Sequence, residues 1–281
     1  ASTKPDALGT YILANTSTIV FSNNAGTQQN IRLTPNVGIV NYGNIDVSGS
    51  NVGLSGPTSA LNMQTGSTFK VAGSGIFNVQ NTNGFTGTST TAINNSNSPT
   101  ISLIAGSTIN YDGLNQTITN TVAYQNLKLS GIGLKTAPAT NLLIEGNLIR
   151  SATSSFNANS GRVVFQGLTA QNFTDATGLA PIEFYNATNT NTTNLVINST
   201  LAIQNELNLT PTAKLNLNTG DIILRSTAIR SAHITDLGTT IPSANITYGS
   251  TGLFNIERYL QSIKSWRLLS TPIMQDRLSI T

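Results

Sequence analysis

Short runs of alternating apolar and polar residues recur along the whole chain, and each run is only about three to five residues long. Typical runs are Ile45–Val47 (IDV) and Leu127–Leu129 (LKL), with Gly, Asn, Ser and Thr between successive runs. A period of two predicts β-strands, and these spacer residues favour turns because they tolerate positive φ or bond to the local backbone. No segment keeps a 3.6-residue period through three turns, so we expect almost no helix.

The chain also resembles itself. Residues 141–165 align with residues 200–224 at a constant offset of 59, and residues 109–118 resemble residues 163–173 when one inserted residue is allowed. The first alignment matches six pairs of similar residues: Ile144 with Ile203, Leu148 with Leu207, Phe156 with Leu215, Gly161 with Gly220, Val163 with Ile222 and Val164 with Ile223. Such strand-and-turn units cannot bury an apolar face alone and become stable only when stacked.

The repeats therefore predict an all-β fold, a right-handed parallel β-helix or β-solenoid. An antiparallel β-sandwich is the alternative, because it also has short strands at regular spacing. If one coil takes about 20–25 residues, the stretch 16–225 holds roughly nine coils at a spacing of ~4.8 Å. We expect Asn and Thr on successive coils to bond into ladders, as in stacked cross-β structures.

The two ends of the chain differ from the middle, and three regions follow from this difference. We predict an N-terminal cap over residues 1–15, solenoid repeats over 16–225, and a C-terminal cap, linker or start of a following β domain over 226–281. Caps are expected because an open terminal coil is an unpaired sheet edge.

Composition excludes several classes of protein. Charged residues make up only 9% of the 281 residues, against roughly 25% in ordinary soluble domains. The net charge is only +3 and no Lys/Arg cluster forms a stripe for phosphates, so we expect no nucleic-acid partner. There is no apolar run long enough to cross a membrane, and no Cys for a disulfide or thiolate metal site. The hydrophobic content of 38% argues against disorder.

One terminal segment is similar to a known family. Residues 254–273 contain Glu257-Arg258-Tyr259, a short spacer, and then the aromatic stretch Trp266–Pro272. Upstream, Gly161–Phe173, Asn194–Ile197 and Gly146–Ile149 fit a repeat of the type G-x-V-x-F-x-G-x-x-x-Q-x-I, Asn-Leu-x-Ile and Gly-Asn-Leu-x-Ile. Together these motifs resemble repeat-containing cell-surface and secreted adhesin-like proteins of the Bacteroidetes, over about residues 100–273.

That resemblance implies a surface-exposed or secreted bacterial protein exported by the type IX secretion system, whose machinery would then be a partner. The C-terminal sorting domain usual for that system is not recognisable in this sequence. We therefore expect the chain to be a fragment of a longer polypeptide.

The acidic residues do not suggest catalysis. β-Helices that cleave polysaccharides use paired carboxylates, whereas none of the 11 acidic residues here lies within three residues of another. His233 is the only imidazole and cannot form a His-rich metal site, and no calcium-binding repeat or loop motif occurs. We predict that the chain is not an enzyme and has no cofactor. The alternative is a single calcium ion bound by backbone carbonyls and one Asp.

Binding residues are harder to place from the sequence. Trp266 and Arg267 form the one candidate recognition pair, because Trp and Arg dominate binding hot spots; a core Trp beside a solvent-facing Arg is the alternative. We predict a non-catalytic structural or adhesive module, a stiff stalk presenting a surface for extracellular glycans or other surfaces. The alternatives are a glycan-active β-helix enzyme and a subunit that self-associates into an extracellular filament.

Overall fold

The computed structural model describes residues 11–22, 27–31, 40–151, 153–176, 178–235 and 245–260. Within these ranges the chain forms β-strands and no α-helix, and every pairing between named strands is parallel. The predicted parallel β-solenoid is thus confirmed, and the antiparallel sandwich is excluded. The same residues contain no helix long and apolar enough to cross a membrane.

The strands lie on three faces, and the chain passes from face 1 to face 2 to face 3 and back to face 1. Face 1 is one ten-stranded sheet. Its strands are β3 (Gln29–Asn30), β6 (Asn51–Leu54), β9 (Ile76–Val79), β11 (Thr108–Tyr111), β13 (Asn126–Leu129), β16 (Leu148–Arg150), β19 (Gln171–Asp175), β21 (Leu195–Ile197), β23 (Leu215–Leu217) and β26 (Ile246–Tyr248).

Faces 2 and 3 are made of four shorter sheets, and the longest of these, with seven strands, extends over parts of both faces. Face 2 holds β1 (Tyr11–Ile12), β4 (Val40–Tyr42), β7 (Asn62–Met63), β12 (Gln116–Thr117), β14 (Ile132–Thr136), β17 (Thr153–Asn157), the first parts of β20 (Ile182–Asn189) and β22 (Leu201–Leu209), β24 (Ile222–Leu224) and β27 (Phe254–Ile256). Face 3 holds β2 (Thr18–Phe21), β5 (Asn44–Ser48), β8 (Thr68–Ala72), β10 (Thr100–Leu103), β15 (Asn141–Ile144), β18 (Arg162–Phe165), the second parts of β20 and β22, and β25 (His233–Ile234).

The number of residues per coil varies, but the spacing between coils along face 1 is constant. Ile109 pairs with Leu127, 18 residues later, whereas Phe77 pairs with Ile109, 32 residues later. The additional residues of a longer coil form loops between its strands, so the strands of neighbouring coils stay in register. Ten strands at ~4.8 Å give face 1 a length of about 43 Å. Parallel pairing begins at β1 and extends through β27, so strands on the solenoid faces lie on both sides of the predicted limits at 16 and 225.

The core is a continuous column of apolar side chains that point inward from all three faces. Phe184 is fully buried and packs against three other rings, with centroid distances of 5.8 Å to Phe156, 6.3 Å to Phe165 and 6.0 Å to Phe173. These rings come from four consecutive strands on two successive coils. The cluster therefore joins coils that the backbone hydrogen bonds connect only at their edges.

We expect Phe184→Ala to lower the free energy of unfolding by about 3–5 kcal/mol, because it removes a fully buried ring and leaves a cavity. Chemical denaturation followed by circular dichroism measures this change. Leu168→Ala is the matched control, since Leu168 is 91% exposed and its truncation should cost less than about 0.5 kcal/mol. Equal effects from the two variants would contradict the assigned core.

Asparagines on face 1 form the ladder that the composition predicts. Asn172 donates from Nδ2 to Oδ1 of Asn147 (3.2 Å), Asn198 donates to Asn172 (3.0 Å), and Asn218 donates to Asn198 (2.9 Å). Below them, the Oδ1 of Asn126 accepts from the backbone N–H of Asn147 (2.9 Å). One side chain per coil thus bonds to the next, and this satisfies amides that the sheet partly buries.

The 59-residue sequence match has an unexpected structural meaning. Ile144 on face 3 stacks in register with Phe165, Asn189 and Leu209, whereas its sequence partner Ile203 stacks with face-2 strands. Every other matched pair is displaced in the same way, by one face. The repeated unit is therefore one strand with its turn, a third of a coil, and the match does not span whole coils.

The shorter match, between 109–118 and 163–173, reveals a recurring corner. In the first copy, Gln116 accepts the backbone N–H of Gly113 (2.9 Å) and donates from Nε2 to the carbonyls of Val79 (2.7 Å) and Asn81 (3.1 Å). In this corner the buried glutamine amide ties its own turn to the previous coil.

The second copy repeats this geometry at a different corner. Gln171 accepts the N–H of Gly167 (2.8 Å) and donates to the carbonyls of Ile144 (3.0 Å) and Gly146 (2.7 Å). Asn191 completes the site by donating from Nδ2 to the Oε1 of Gln171 (2.9 Å). The glutamine-locked corner is thus a property of the strand-and-turn unit and is independent of the face.

A buried lysine completes the first copy. The Lys135 Nζ donates to the Oε1 of Gln116 (2.7 Å), to the carbonyl of Leu114 (2.8 Å) and to the carbonyl of Gly113, and its side chain is fully buried. Burial lowers the pKa of Lys135 from 10.5 to about 8, although the nearby Asp112 carboxylate opposes this shift. The unfolded chain therefore keeps a proton that the folded chain releases above pH 8.

We expect the free energy of unfolding to rise by about 2 kcal/mol between about pH 8 and 9.5, because the unfolded state binds more protons across this window. Lys135→Gln keeps a hydrogen-bond donor but does not titrate, and it should lose most of this rise. Denaturation of both proteins at several pH values measures the difference. Parallel pH profiles for the two would contradict the buried ammonium.

Candidate functional site

Most charged groups of the described residues bridge coils. Arg150 pairs with Asp175, and both side chains are at least 94% buried. Arg162 binds Glu206 at 3.0 Å, two coils further along the chain. The remaining ion pairs join Lys70 to Asp46 (2.9 Å) and Arg225 to both Glu183 (2.8 Å) and Glu257 (2.6 Å).

The other three described carboxylates also have structural partners. Glu145 accepts from the side-chain amides of Gln125 (2.6 Å) and Gln166 (3.4 Å), and Asp221 accepts from the backbone N–H of Leu253 and the amide of Asn255. Asp112 accepts from Gln80 and lies near Lys135; burial raises its pKa. All eight described carboxylates therefore have a structural partner, although the Oδ1 of Asp112 is buried without a hydrogen bond.

One groove interrupts this regular surface, and it has a volume of about 520 Å³. That volume falls within the range of about 300–1,000 Å³ typical of small-ligand sites. Its lining is mostly polar: Phe156, Asn157, Ala158, Asn159, Ser160, Pro181, Glu183, Tyr185, Gln204 and Arg230. These residues come from four successive coils, and all lie near the corner between faces 2 and 3.

The floor of the groove is the place where two long strands pass straight through this corner. β20 and β22 each run continuously from face 2 to face 3, with no turn protruding from them. Phe184 pairs with Ile203 and Asn186 pairs with Glu206, so Tyr185 faces two residues of β22. This β-bulge turns the local strand and directs Tyr185 and Gln204 toward the groove.

One wall is the tight turn between β17 and β18. The N–H of Gly161 donates to the carbonyl of Ala158 (3.0 Å), and the two central residues, Asn159 and Ser160, have φ of 46° and 57°. This is the pattern of a type I′ turn, in which Asn-Gly is the usual central pair. A Cβ on Gly161 would lie 2.0 Å from the carbonyl oxygen of Pro138, so only glycine fits between these two coils.

The opposite wall is a small hairpin between β24 and β25. Ser226 and Ser231 form an antiparallel bridge, and the N–H of Thr227 donates to the carbonyl of Arg230 (2.6 Å). The hairpin carries the Arg230 guanidinium over the ring of Tyr185, 4.6 Å from its centroid. The two walls lie three coil spacings apart, about 14 Å. The β17–β18 turn and the β24–β25 hairpin protrude from the surface, whereas β20 and β22 between them pass the corner without a turn. The space between the two protruding turns is the groove.

Two charged residues line the groove, Glu183 and Arg230, and they differ in whether they have an ion-pair partner. Glu183 accepts from Gln204 (2.8 Å) and from the Nε of Arg225 (3.0 Å). Burial alone would lower the pKa of Arg225, but its bonds to Glu257 and Glu183 raise that pKa overall. Arg230, in contrast, has no carboxylate partner among the described residues.

This arrangement suits binding better than bond cleavage. Glycoside hydrolysis needs two carboxylates placed on either side of the reacting bond. Glu183 is the one carboxylate among the lining residues, and its oxygens already accept bonds from Arg225 and Gln204. The groove can accept hydroxyls and one negative charge.

The sequence singled out Trp266 and Arg267 as a candidate recognition pair and His233 as the only imidazole. Trp266 and Arg267 fall outside the described residues. His233 is exposed on β25, where it pairs through its backbone with Glu206. No group of three or more His, Cys, Asp or Glu that could hold a metal ion occurs in the part of the chain that the structure describes.

Sequence reasoning missed the groove, although a weak signal for it exists. The stretch 182–189 (IEFYNATN) and the stretch 201–209 (LAIQNELNL) contain no Gly or Pro and are twice the usual strand length here. Continuous strands of this length indicate a corner without a turn. Only the stacking of coils reveals that both fall at the same corner.

Comparison with known proteins adds no relative: no family model, curated protein or solved structure matches this chain.

We expect Ser160→Gly to raise the free energy of unfolding by about 0.5–1 kcal/mol, because it relieves a positive φ that costs an L-residue about 1–2 kcal/mol. Ser155→Gly is the matched control. Ser155 lies in β17 with an ordinary backbone, so the same change there should destabilise the fold by about 0.5–1 kcal/mol. Denaturation midpoints measure both, and a loss of stability in Ser160→Gly would contradict the assigned turn.

Proposed function

We propose that this chain is a non-catalytic structural and adhesive module of a secreted or cell-surface bacterial protein. In this proposal the solenoid is a stiff stalk, and the groove at the corner between faces 2 and 3 is its binding surface. The observation that carries the proposal is the uninterrupted face 1, ten strands paired in parallel along the full described length.

Stiffness follows from the way that successive coils are joined. Backbone hydrogen bonds connect each coil to its neighbours along face 1, and the asparagine ladder and the cross-coil ion pairs add further bonds between particular coils. Bending such a rod would break several of these contacts at once. A module of this kind can hold a binding site at a fixed distance from its attachment point.

The export route and the cellular location come from the resemblance to Bacteroidetes surface proteins. Secretion through the type IX machinery and display outside the cell are part of the proposal on that ground. Low charge and a surface rich in Asn, Thr and Ser are compatible with an extracellular environment.

A glycan-active enzyme is the second candidate, since parallel β-helices can place carboxylates in a groove. The eight described carboxylates have structural partners, and this observation favours the binding module over the enzyme. The predicted filament of self-associating chains has no specific support among the described contacts.

We expect beads that carry the chain to be retained under flow on at least one of three immobilised polysaccharides: dextran, galactan and polygalacturonate. No new reducing ends should appear after prolonged incubation, because the chain binds without cleaving. Beads that carry an unrelated protein of similar net charge are the control. Lack of retention on all three surfaces would contradict the adhesive role, and release of reducing ends would favour the enzyme.

A further inference from the structure

We propose that the groove binds a carboxylated saccharide, with the Arg230 guanidinium receiving the sugar carboxylate. This inference rests on the proposed adhesive function and adds the chemical class of the ligand. It combines two independent features of the groove: its hydroxyl- and amide-bearing lining, and one cation that has no anionic partner among the described residues.

The lining suits a ligand that is rich in hydroxyls. Asn157, Asn159, Ser160 and Gln204 carry amide or hydroxyl groups, and Glu183 is a strong acceptor held in place by Arg225. Saccharides present many hydroxyls that both donate and accept, so they can satisfy such a lining without apolar anchors.

A peptide fits this groove less well. Peptides commonly bind by adding a strand to an open sheet edge. On the floor, β22 pairs with β20 on one side and with β24 and β25 on the other, and residues 186–189 of β20 lie between β18 and β22. Residues 182–184 of β20 pair only with β22, and β17 pairs only with β14, so the unpaired strand edges beside the groove are three and five residues long. A peptide could extend these short edges only, whereas polar side chains line most of the groove.

The charge on the ligand follows from Arg230. Its guanidinium lies over the Tyr185 ring, and this contact fixes the plane of the guanidinium group. The positive charge has no carboxylate partner among the described residues. A planar guanidinium binds a carboxylate through two parallel hydrogen bonds, and this geometry is stronger than a neutral contact. Arg225 contacts both Glu183 and Glu257, so it partly offsets the repulsion between the Glu183 carboxylate and such a ligand.

Tyr185 is then a positioning residue that acts through Arg230. Its ring holds the guanidinium, and the β-bulge opposite Gln204 and Asn205 sets the direction of the ring. Removing the Tyr185 ring should leave the Arg230 guanidinium without a fixed orientation, whereas removing only the phenol hydroxyl should not.

Isothermal titration calorimetry of the full chain with four probes tests the proposal. Trigalacturonate and 3′-sialyllactose carry the carboxylate in the two common forms, a uronate and a sialate; the methyl ester of trigalacturonate and lactose are their neutral counterparts. We expect at least one acidic probe to bind at least tenfold more tightly than its neutral counterpart, and the better of the two identifies the source.

Matched variants connect this preference to the groove. Arg230→Gln and Tyr185→Leu should each lower the affinity for the acidic probe about tenfold. Tyr185→Phe keeps the ring and should bind the probe as tightly as the unchanged protein. Lys128→Gln on face 1 removes the same charge far from the groove and should leave binding unchanged. Because Arg230 lies on a surface hairpin, unchanged thermal unfolding of Arg230→Gln separates loss of the site from loss of the fold.

Each failure has a distinct meaning. Equal binding of acidic and neutral probes, or an unchanged affinity in Arg230→Gln, would overturn the carboxylate assignment while leaving the adhesive module intact. Absence of binding by all four probes would overturn the saccharide site, and retention of beads on polysaccharide would then show that adhesion uses another surface. Cleavage of trigalacturonate during titration would overturn the non-catalytic function but keep the ligand class.

Discussion

Parallel backbone pairing between successive coils is the interaction on which every other feature depends. It fixes a spacing of ~4.8 Å per coil along face 1, whatever the number of residues in that coil. Coils of 18 and 32 residues are neighbours on this face, and the longer one places its surplus in loops. Because spacing and register are constant, equivalent side chains on successive coils come within hydrogen-bond or packing distance.

That constancy explains why so polar a sequence can form a stable rod. The five asparagines of the ladder from Asn126 to Asn218 satisfy side-chain amide groups that the stacked coils partly bury. Gln116 and Gln171 do the same at two corners, with Lys135 and Asn191 as their respective donors. In each case, the polar group has its partner one coil away, so its burial becomes favourable only when the coils stack.

The groove arises where this regularity changes from coil to coil. Between faces 2 and 3, one coil has a tight turn, two have continuous strands and the next has a hairpin. The turn and the hairpin protrude, and the two coils between them do not. A depression lined by functional groups thus follows from differences in corner geometry, with no departure from the stacked core.

The short alternating runs determined the all-β class by themselves, and the internal repeats favoured a solenoid because such units bury their apolar sides by stacking. The antiparallel sandwich was excluded only by the parallel pairing of the strands. The internal match likewise revealed the strand-and-turn unit and, through Gln116 and Gln171, a corner that both copies share. Which face each unit occupies was decided by tertiary structure, since the coil length is variable and the 59-residue match is displaced by one face. The groove was also decided there: Tyr185 and Arg230 are separated by 45 residues and meet only because their coils stack at one corner.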